Sequence, residues 1–476
     1  MTITSIHYFL FTTLALGVYY VLPRRSQNVW LLLVSYTFIA LWAWQFAVVL
    51  GIVTIINFRL ALQLGSENQM RRGVLWLGIG INVSTLILFR ASDFFLPQLE
   101  SLFGRLGIPV QAGGLTLLIP LGLSYYVLQT ISYLVDVYRG QLRAETDVVS
   151  FALYLCYFPK IIAGPIERAR SFLPKLAQAR VLDPDMVRRS ILLIFTGLVR
   201  KLLIADILTA SILPDVFNLP AKYTSSELFG WLVIYAFAIY NDFAGYTNIV
   251  RGVSGLFGIE LSPNFRVPYF SRTFTEFWTR WHITLSEWLR DYIYFPISRA
   301  LARRTSNLQN LASIVLPPRL TMLVSGLWHG FGMHMLLWGA LHGLYLVFER
   351  IFSIWRPGLP AQNQPFWRQG LSATMVFLFV ILAWVPFRWE LPAAFEFWSA
   401  LFSGSSFEIR YRRLFLVLPV VAVSLLMDVL QLRTQDEYIY LRWPRLARAA
   451  CMAIILLLIF IVTGGESEEP FVYQAF

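Results

Sequence analysis

LTMLVSGLWHGFGMHMLLWGALHGLYLVF, Leu320 to Phe348, contains no Asp, Glu, Lys or Arg. About 20 mostly apolar residues suffice to cross the hydrocarbon core of a bilayer. The glycines Gly326, Gly330 and Gly332 punctuate the run. It therefore reads as the meeting point of two membrane spans, 311–328 and 332–348, and the fold follows from it.

Working outward, further apolar runs predict spans at 6–22, 28–44, 46–64, 74–90, 115–137, 190–210, 228–250, 371–387, 413–431 and 446–463. That gives about 11–13 membrane helices. Helices satisfy their own backbone hydrogen bonds inside lipid. The expected fold class is therefore all-α, a polytopic integral membrane protein forming one transmembrane domain over 1–476. Composition agrees: 57% of the residues are hydrophobic and 14% charged, against roughly 25% charged in soluble domains. The N-terminal run has its arginines, Arg24 and Arg25, after the apolar stretch and not before it. It reads as a retained first span, not a cleaved signal.

The net charge of +12 falls largely on short segments between apolar runs. That is the positive-inside pattern, and no basic helix or aromatic platform points to nucleic acid. Arg24 and Arg25, Arg71 and Arg72, and Arg139 and Arg143 mark three cytoplasmic loops. The N-terminus and the loop 91–114 then lie outside. Cys156 and Cys451 form no metal motif or redox pair and read as small buried residues.

Two regions break the alternation. FALYLCYFPKIIAGPI (151–166) is too short to span, is broken by Pro159, Gly164 and Pro165, and leads into basic residues up to Arg189. Such runs are re-entrant or interfacial. RTFTEFWTRWHITLSEWLRDYIYFPI (272–297) carries Phe274, Phe277, Trp278, Trp281, Leu285, Trp288 and Leu289 at helical spacing. It reads as a horizontal amphipathic helix with Glu276, Arg280, Glu287 and Arg290 opposite.

Ionisable residues at membrane depth mark functional sites by default. His329 sits among the glycines, where a helix can break and face a cavity. His282 falls on the apolar stripe beside Trp281. A neutral imidazole accepts a proton near pH 7, and burial disfavours its charged form. Such a base can activate an acceptor hydroxyl, and a second imidazole can bind a developing oxyanion or orient substrate. A buried histidine also serves as a structural donor, the expected role of His334 and His342, which would bond neighbouring helices. The histidine spacings and the lack of an accompanying carboxylate or Cys argue against a metal. Asp242, late in its apolar run, reads as an intramembrane carboxylate or, preferably, as a cytoplasmic helix end bonding backbone. No Walker loop, GxGxxG or GxSxG motif is present.

The segment EFWTRWHITLSEWLRDYIYFPI (276–297) closely resembles the signature of the membrane-bound O-acyltransferase superfamily, bacterial branch. SGLWHG (325–330) resembles its second signature. LGLSYYVLQTISYLVDVYRG (121–140), YFPKIIAGPIERARSFLPKL (157–176), NDFAGYTNIVRGVSGLFGIELSPNF (241–265) and LLWGALHGLYLVFER (336–350) extend the match in the family's order over most of 115–400. The resemblance implies a ring of helices around a central passage, with His329 catalytic and His282 along the same passage. Trp281 and Trp328, which flank them, and Asp242 are candidate substrate-binding positions; the basic residues Lys160, Arg168, Arg280 and Arg290 are candidates for attracting an anionic donor, or else membrane-surface anchors under the positive-inside rule. The resemblance also implies acetyl-CoA as acyl donor, a polysaccharide or cell-wall glycan as acceptor, an extracytoplasmic partner protein, and residence in the bacterial inner membrane. D-alanyl transfer from a carrier protein is the alternative within the family; a transporter without covalent chemistry is the alternative outside it. The chain departs from the pattern at PISRA (296–300), at His334 and at its end, FVYQAF (471–476). These departures bear on the acceptor, not on the chemistry.

Overall fold

A backbone in lipid must close its own hydrogen bonds, and every regular element among the described residues is a helix. The computed structural model describes residues 1–66, 69–105, 118–303, 307–355, 365–404 and 408–463. The C-terminal FVYQAF and the end of the 91–114 loop lie outside them. The chain divides into two compact units, Met1–Met186 with Val253–Leu261, and Val187–Gly252 with the residues from Ser262 on.

The first unit begins with α1 (Ile6–Tyr19), α2 (Arg24–Ala40), α3 (Trp44–Gly65) and α4 (Arg71–Arg90). The loop expected over 91–114 instead holds α5 (Ser92–Arg105), followed later by α6 (Leu123–Tyr138). Where α3 meets α4, two buried amides clasp: Asn82 Nδ2 donates to Asn57 Oδ1 at 2.7 Å. Such pairs hold helices together where the hydrophobic effect no longer separates protein from surroundings. Next come α7 (Val148–Cys156), capped by the Asp147 carboxylate, and α8 (Ala169–Ala177). Between them, residues 157–167 are non-helical and all buried. The run expected to be re-entrant or interfacial thus has irregular backbone wrapped in protein, the condition under which such backbone is tolerated at membrane depth.

The second unit opens with α9 (Pro184–Leu198), a π-helical stretch (Val199–Ala205) and α10 (Asp206–Ser211). Next is α11 (Ser225–Leu256), 32 residues and about 48 Å at 1.5 Å per residue. Its start is a capping box: Glu227 accepts from the Thr224 N–H at 2.9 Å, and Thr224 Oγ1 from the Glu227 N–H at 3.3 Å. Then follow α12 (Phe274–Arg280), α13 (Ile283–Leu289), α14 (Phe295–Ala302), α15 (Asn307–His329) and α16 (Met333–Trp355). The unit ends with α17 (Phe366–Arg388), α18 (Leu391–Phe402), α19 (Arg413–Leu416), α20 (Leu418–Thr434) and α21 (Arg445–Thr463).

Eight stretches among the described residues are long and apolar enough to cross a membrane: 44–65, 71–90, 225–256, 311–329, 333–355, 366–388, 413–434 and 445–462. The other four expected spans are helical too, but shorter or interrupted. α1, α2 and α6 have 14, 17 and 16 residues, and 190–210 is broken by the π stretch. The chain is a multi-span membrane protein.

Candidate active site

α15 and α16 form a tight hairpin, and small residues set its closeness. A Cβ on Gly326 would run into the Met335 carbonyl, and one on Gly339 into that of Met322. Only glycine permits this approach. His329 is the last residue of α15, one turn beyond Gly326, so the hairpin fixes its place. Its ring is 4% exposed. Three aromatic rings box it edge to face: Trp328 at 4.8 Å, Trp338 at 5.2 Å and Phe387 at 5.1 Å between ring centres.

His282 arrives by a different device. The amphipathic stretch 272–297 is helical, but in separate pieces, with the break at Trp281 and His282. Asn264, eighteen positions upstream, makes the break. Its carbonyl accepts from the Ile283 N–H at 2.9 Å, and its Oδ1 accepts from the Thr284 N–H at 3.2 Å and the Thr284 hydroxyl at 2.7 Å. Asn264 thus caps α13, and the His282 side chain is not needed for that task. His282 itself takes a left-handed backbone, φ 41°. Non-glycine residues rarely hold that conformation, and it clusters at functional sites. Its ring is buried, 4.8 Å from Phe243 and 6.1 Å from Trp328. Trp328 therefore touches both histidines.

Burial pushes the His282 imidazole down to about 3, so the ring is neutral near pH 7. An unfolded chain would protonate this histidine at its ordinary value of about 6.5. Stability contributed by the neutral ring is thus complete above that value and declines as pH falls toward 3. The slope is at most about 1.4 kcal/mol per pH unit. We expect the melting temperature of the detergent-solubilised wild type to drop more steeply between about pH 6.5 and about pH 4.5 than that of His282→Gln. Parallel curves would contradict this.

Trp281 is buried in the same aromatic mass, 4.8 Å from Trp384 and 5.7 Å from Phe277. His342, expected to bond a neighbouring helix, does not. It is fully buried, and neither ring nitrogen has a hydrogen-bond partner among the described residues. It packs instead on Trp338 at 4.9 Å and Trp278 at 5.0 Å. The Nε1 atoms of Trp278 and Trp338 are also buried without a partner among the described residues. Sequence reading passed over these tryptophans, since an aromatic at helical spacing looks like core.

Trp278 lines an open cavity of about 520 Å³ between α12–α14 and the α15–α16 hairpin. Arg290, Tyr294, Thr321, Glu349 and Arg350 line it as well. Ring contacts lead from this vestibule inward: Trp278 to His342, His342 to Trp338, Trp338 to His329.

The remaining expected positions divide. Arg290 lines the vestibule, about half exposed, with Asp291 at 3.1 Å. Arg280 is tied to Glu276 at 2.6 Å and does not line it. Asp242 is not at a helix end but in the interior of α11, buried and paired with Lys201 at 2.9 Å. Lys160 is no surface cation. It is 2% exposed, and its Nζ donates to the Tyr154 carbonyl at 2.6 Å and to Gln129 Oε1 at 3.0 Å. Burial pulls its ammonium down to about 7. Arg168 is half-buried at the start of α8. Lys160 and Arg168 both belong to the first unit. No group of three or more His, Cys, Asp or Glu residues able to hold a metal ion occurs among the described residues.

The family model described as MBOAT, membrane-bound O-acyltransferase family, matches residues 141–387. The chain is 35% identical over 405 residues to a probable alginate O-acetylase of Azotobacter vinelandii, covering 84% of this chain and 77% of that protein. It is 29% identical over 416 residues to a peptidoglycan O-acetyltransferase of Helicobacter pylori, covering 80% and 76%. It is 28% identical over 308 residues to a teichoic acid D-alanyltransferase of Streptococcus thermophilus, covering 59% and 70%.

Proposed function

The chain belongs to the membrane-bound O-acyltransferase family, and we propose that it passes an acetyl group from cytoplasmic acetyl-CoA to a hydroxyl destined for an extracytoplasmic polysaccharide. In this reading the thioester enters through the vestibule and passes Trp278 and Trp338 to reach His329. The acceptor O–H attacks the thioester carbonyl while the His329 imidazole takes its proton. The tetrahedral oxyanion collapses, the C–S bond breaks, and the thiolate leaves and is protonated. His282, neutral and touching Trp328, is suited to orient the acceptor.

One observation carries the proposal: a buried imidazole joined to an open cavity through a file of rings. Three members of that file, Trp278, His342 and Trp338, hold polar atoms with no partner among the described residues. Buried polar groups are almost always bonded. Those of this file are suited to meet the polar atoms of an incoming donor. The acetylase relatives match over more of the chain than the D-alanyltransferase does, which favours acetyl over D-alanyl transfer. The acceptor hydroxyl is assigned to a separate partner protein or to the glycan itself, and the chain to the bacterial inner membrane.

The test is transfer of radiolabelled acetyl from acetyl-CoA, or from an acylated carrier protein, by the purified chain in nanodiscs. Turnover only with a D-alanyl carrier would replace the donor, and no turnover with any acyl donor would refute the reading. Arg290, on the vestibule wall, should attract the phosphates of coenzyme A. Arg290→Ala is expected to raise KM for acetyl-CoA severalfold, with kcat little changed, and the difference should shrink at high salt. An unchanged KM would remove Arg290 from the donor site.

A further inference from the structure

Away from the histidines, the second unit carries a groove of about 540 Å³ between the α9–π segment, α20 and α21. Phe195, Val199, Val423, Leu430, Ile455 and Leu458 are typical of its walls, and its lining holds a single charged side chain, Arg448. Trp443 and Tyr440 line it close to Arg448 in sequence. The Arg448 Nε is buried without a hydrogen-bond partner among the described residues. α20 and α21 each pack against the π stretch, which leaves the slot between them.

We propose that this groove is a binding site for one membrane glycerophospholipid, its phosphate on Arg448 and one acyl chain along α21. Length supports that occupant. From Arg448 to Val462, both on the lining, α21 rises 14 residues, about 21 Å at 1.5 Å per residue. That is longer than the hydrocarbon half-thickness of a bilayer, about 15 Å, so the lining covers the full depth that one acyl chain occupies. Chemistry supports it too. The walls offer a tail dispersion contacts and almost nothing polar. A guanidinium is the favoured partner of a phosphate. Trp and Tyr are the residues that settle at headgroup level. A neutral protein helix would leave Arg448 uncompensated. The groove also shares Thr196, Met427 and Tyr440 with a small polar cavity that Arg200 lines. A tail in the groove would seal that cavity from the lipid side.

The full-length chain, purified in detergent, is titrated with phosphatidylglycerol and read by native mass spectrometry. The wild type is expected to retain one phospholipid. Arg448→Gln should weaken retention by about tenfold, the worth of one charge-assisted hydrogen bond. Val423→Trp, which fills the slot, should abolish it. The chain supplies its own second readout: Cys451 lines the groove, whereas the other cysteine, Cys156, is fully buried. Added lipid should slow maleimide labelling of Cys451 in the wild type and not in Arg448→Gln. A wild type that retains no lipid, or variants that retain it equally well, would overturn the proposal. So would a second copy or another polypeptide found on this face in place of lipid.

Discussion

His329→Ala is expected to lower acyl transfer by two to four orders of magnitude, the range of a positioned general base. The variant should still extract and elute as the wild type does. The ring ends α15 and makes its neighbour contacts edge to face with Trp328, Trp338 and Phe387. Removing it leaves a gap in an aromatic box at a helix end, and the loss is expected in chemistry more than in folding. His329→Gln separates the two effects. It restores most of the volume and a hydrogen-bonding amide, yet an amide cannot take up a proton near pH 7. Its melting temperature should therefore recover while its activity does not. Turnover by His329→Gln within tenfold of wild type would end the general-base assignment. His282→Ala should fall less far, since that ring is suited to orient the acceptor and not to take its proton, with Trp328 packed against both imidazoles.

Why the sequence yielded some of this and not the rest follows from distance along the chain. The long spans were legible because hydropathy over some 20 residues reports the solvent, and here the solvent is lipid. α16 and α17 both fall where their apolar runs predict. His329 was legible from a local conflict, an ionisable ring in a stretch with no charge. The break at His282 was not. Its cause is Asn264, whose cap on α13 overrides a helical period that runs through 272–297. The start of α6 is similar. Gly122 takes φ +71°, and a Cβ there would strike the Ile161 carbonyl of the buried non-helical segment 157–167. The apolar run reaches upstream to 115, but contact with a segment some forty residues later decides where the helix begins. Asp428 was not singled out in the sequence, although a carboxylate in the apolar run of α20 signals function or pairing. Its partner, Arg200, lies 228 positions away, and no local pattern joins them.

That pair should be a sensitive structural point in the second unit. Arg200 Nη2 meets Asp428 Oδ1 at 2.5 Å, and Nη1 donates to Asn241 Oδ1 at 2.8 Å. The Tyr240 hydroxyl donates to the same Asp428 oxygen at 3.0 Å, and Asn241 Nδ2 to Ser424 Oγ at 2.8 Å. All five side chains are buried. Breaking a buried pair by removing one partner leaves an uncompensated charge and costs about 3–5 kcal/mol, whereas replacing both with apolar groups is often close to neutral. Arg200→Leu and Asp428→Leu are each expected to lower the melting temperature sharply in detergent. The double variant Arg200→Leu/Asp428→Leu should melt well above either single one, a coupling whose sign reports the pair itself. Measured thermal unfolding of the four chains closes the cycle. If the double variant loses the sum of the two single losses, the contacts around Asn241 and Tyr240 hold these helices, and the ion pair between α20 and the π stretch is incidental to them.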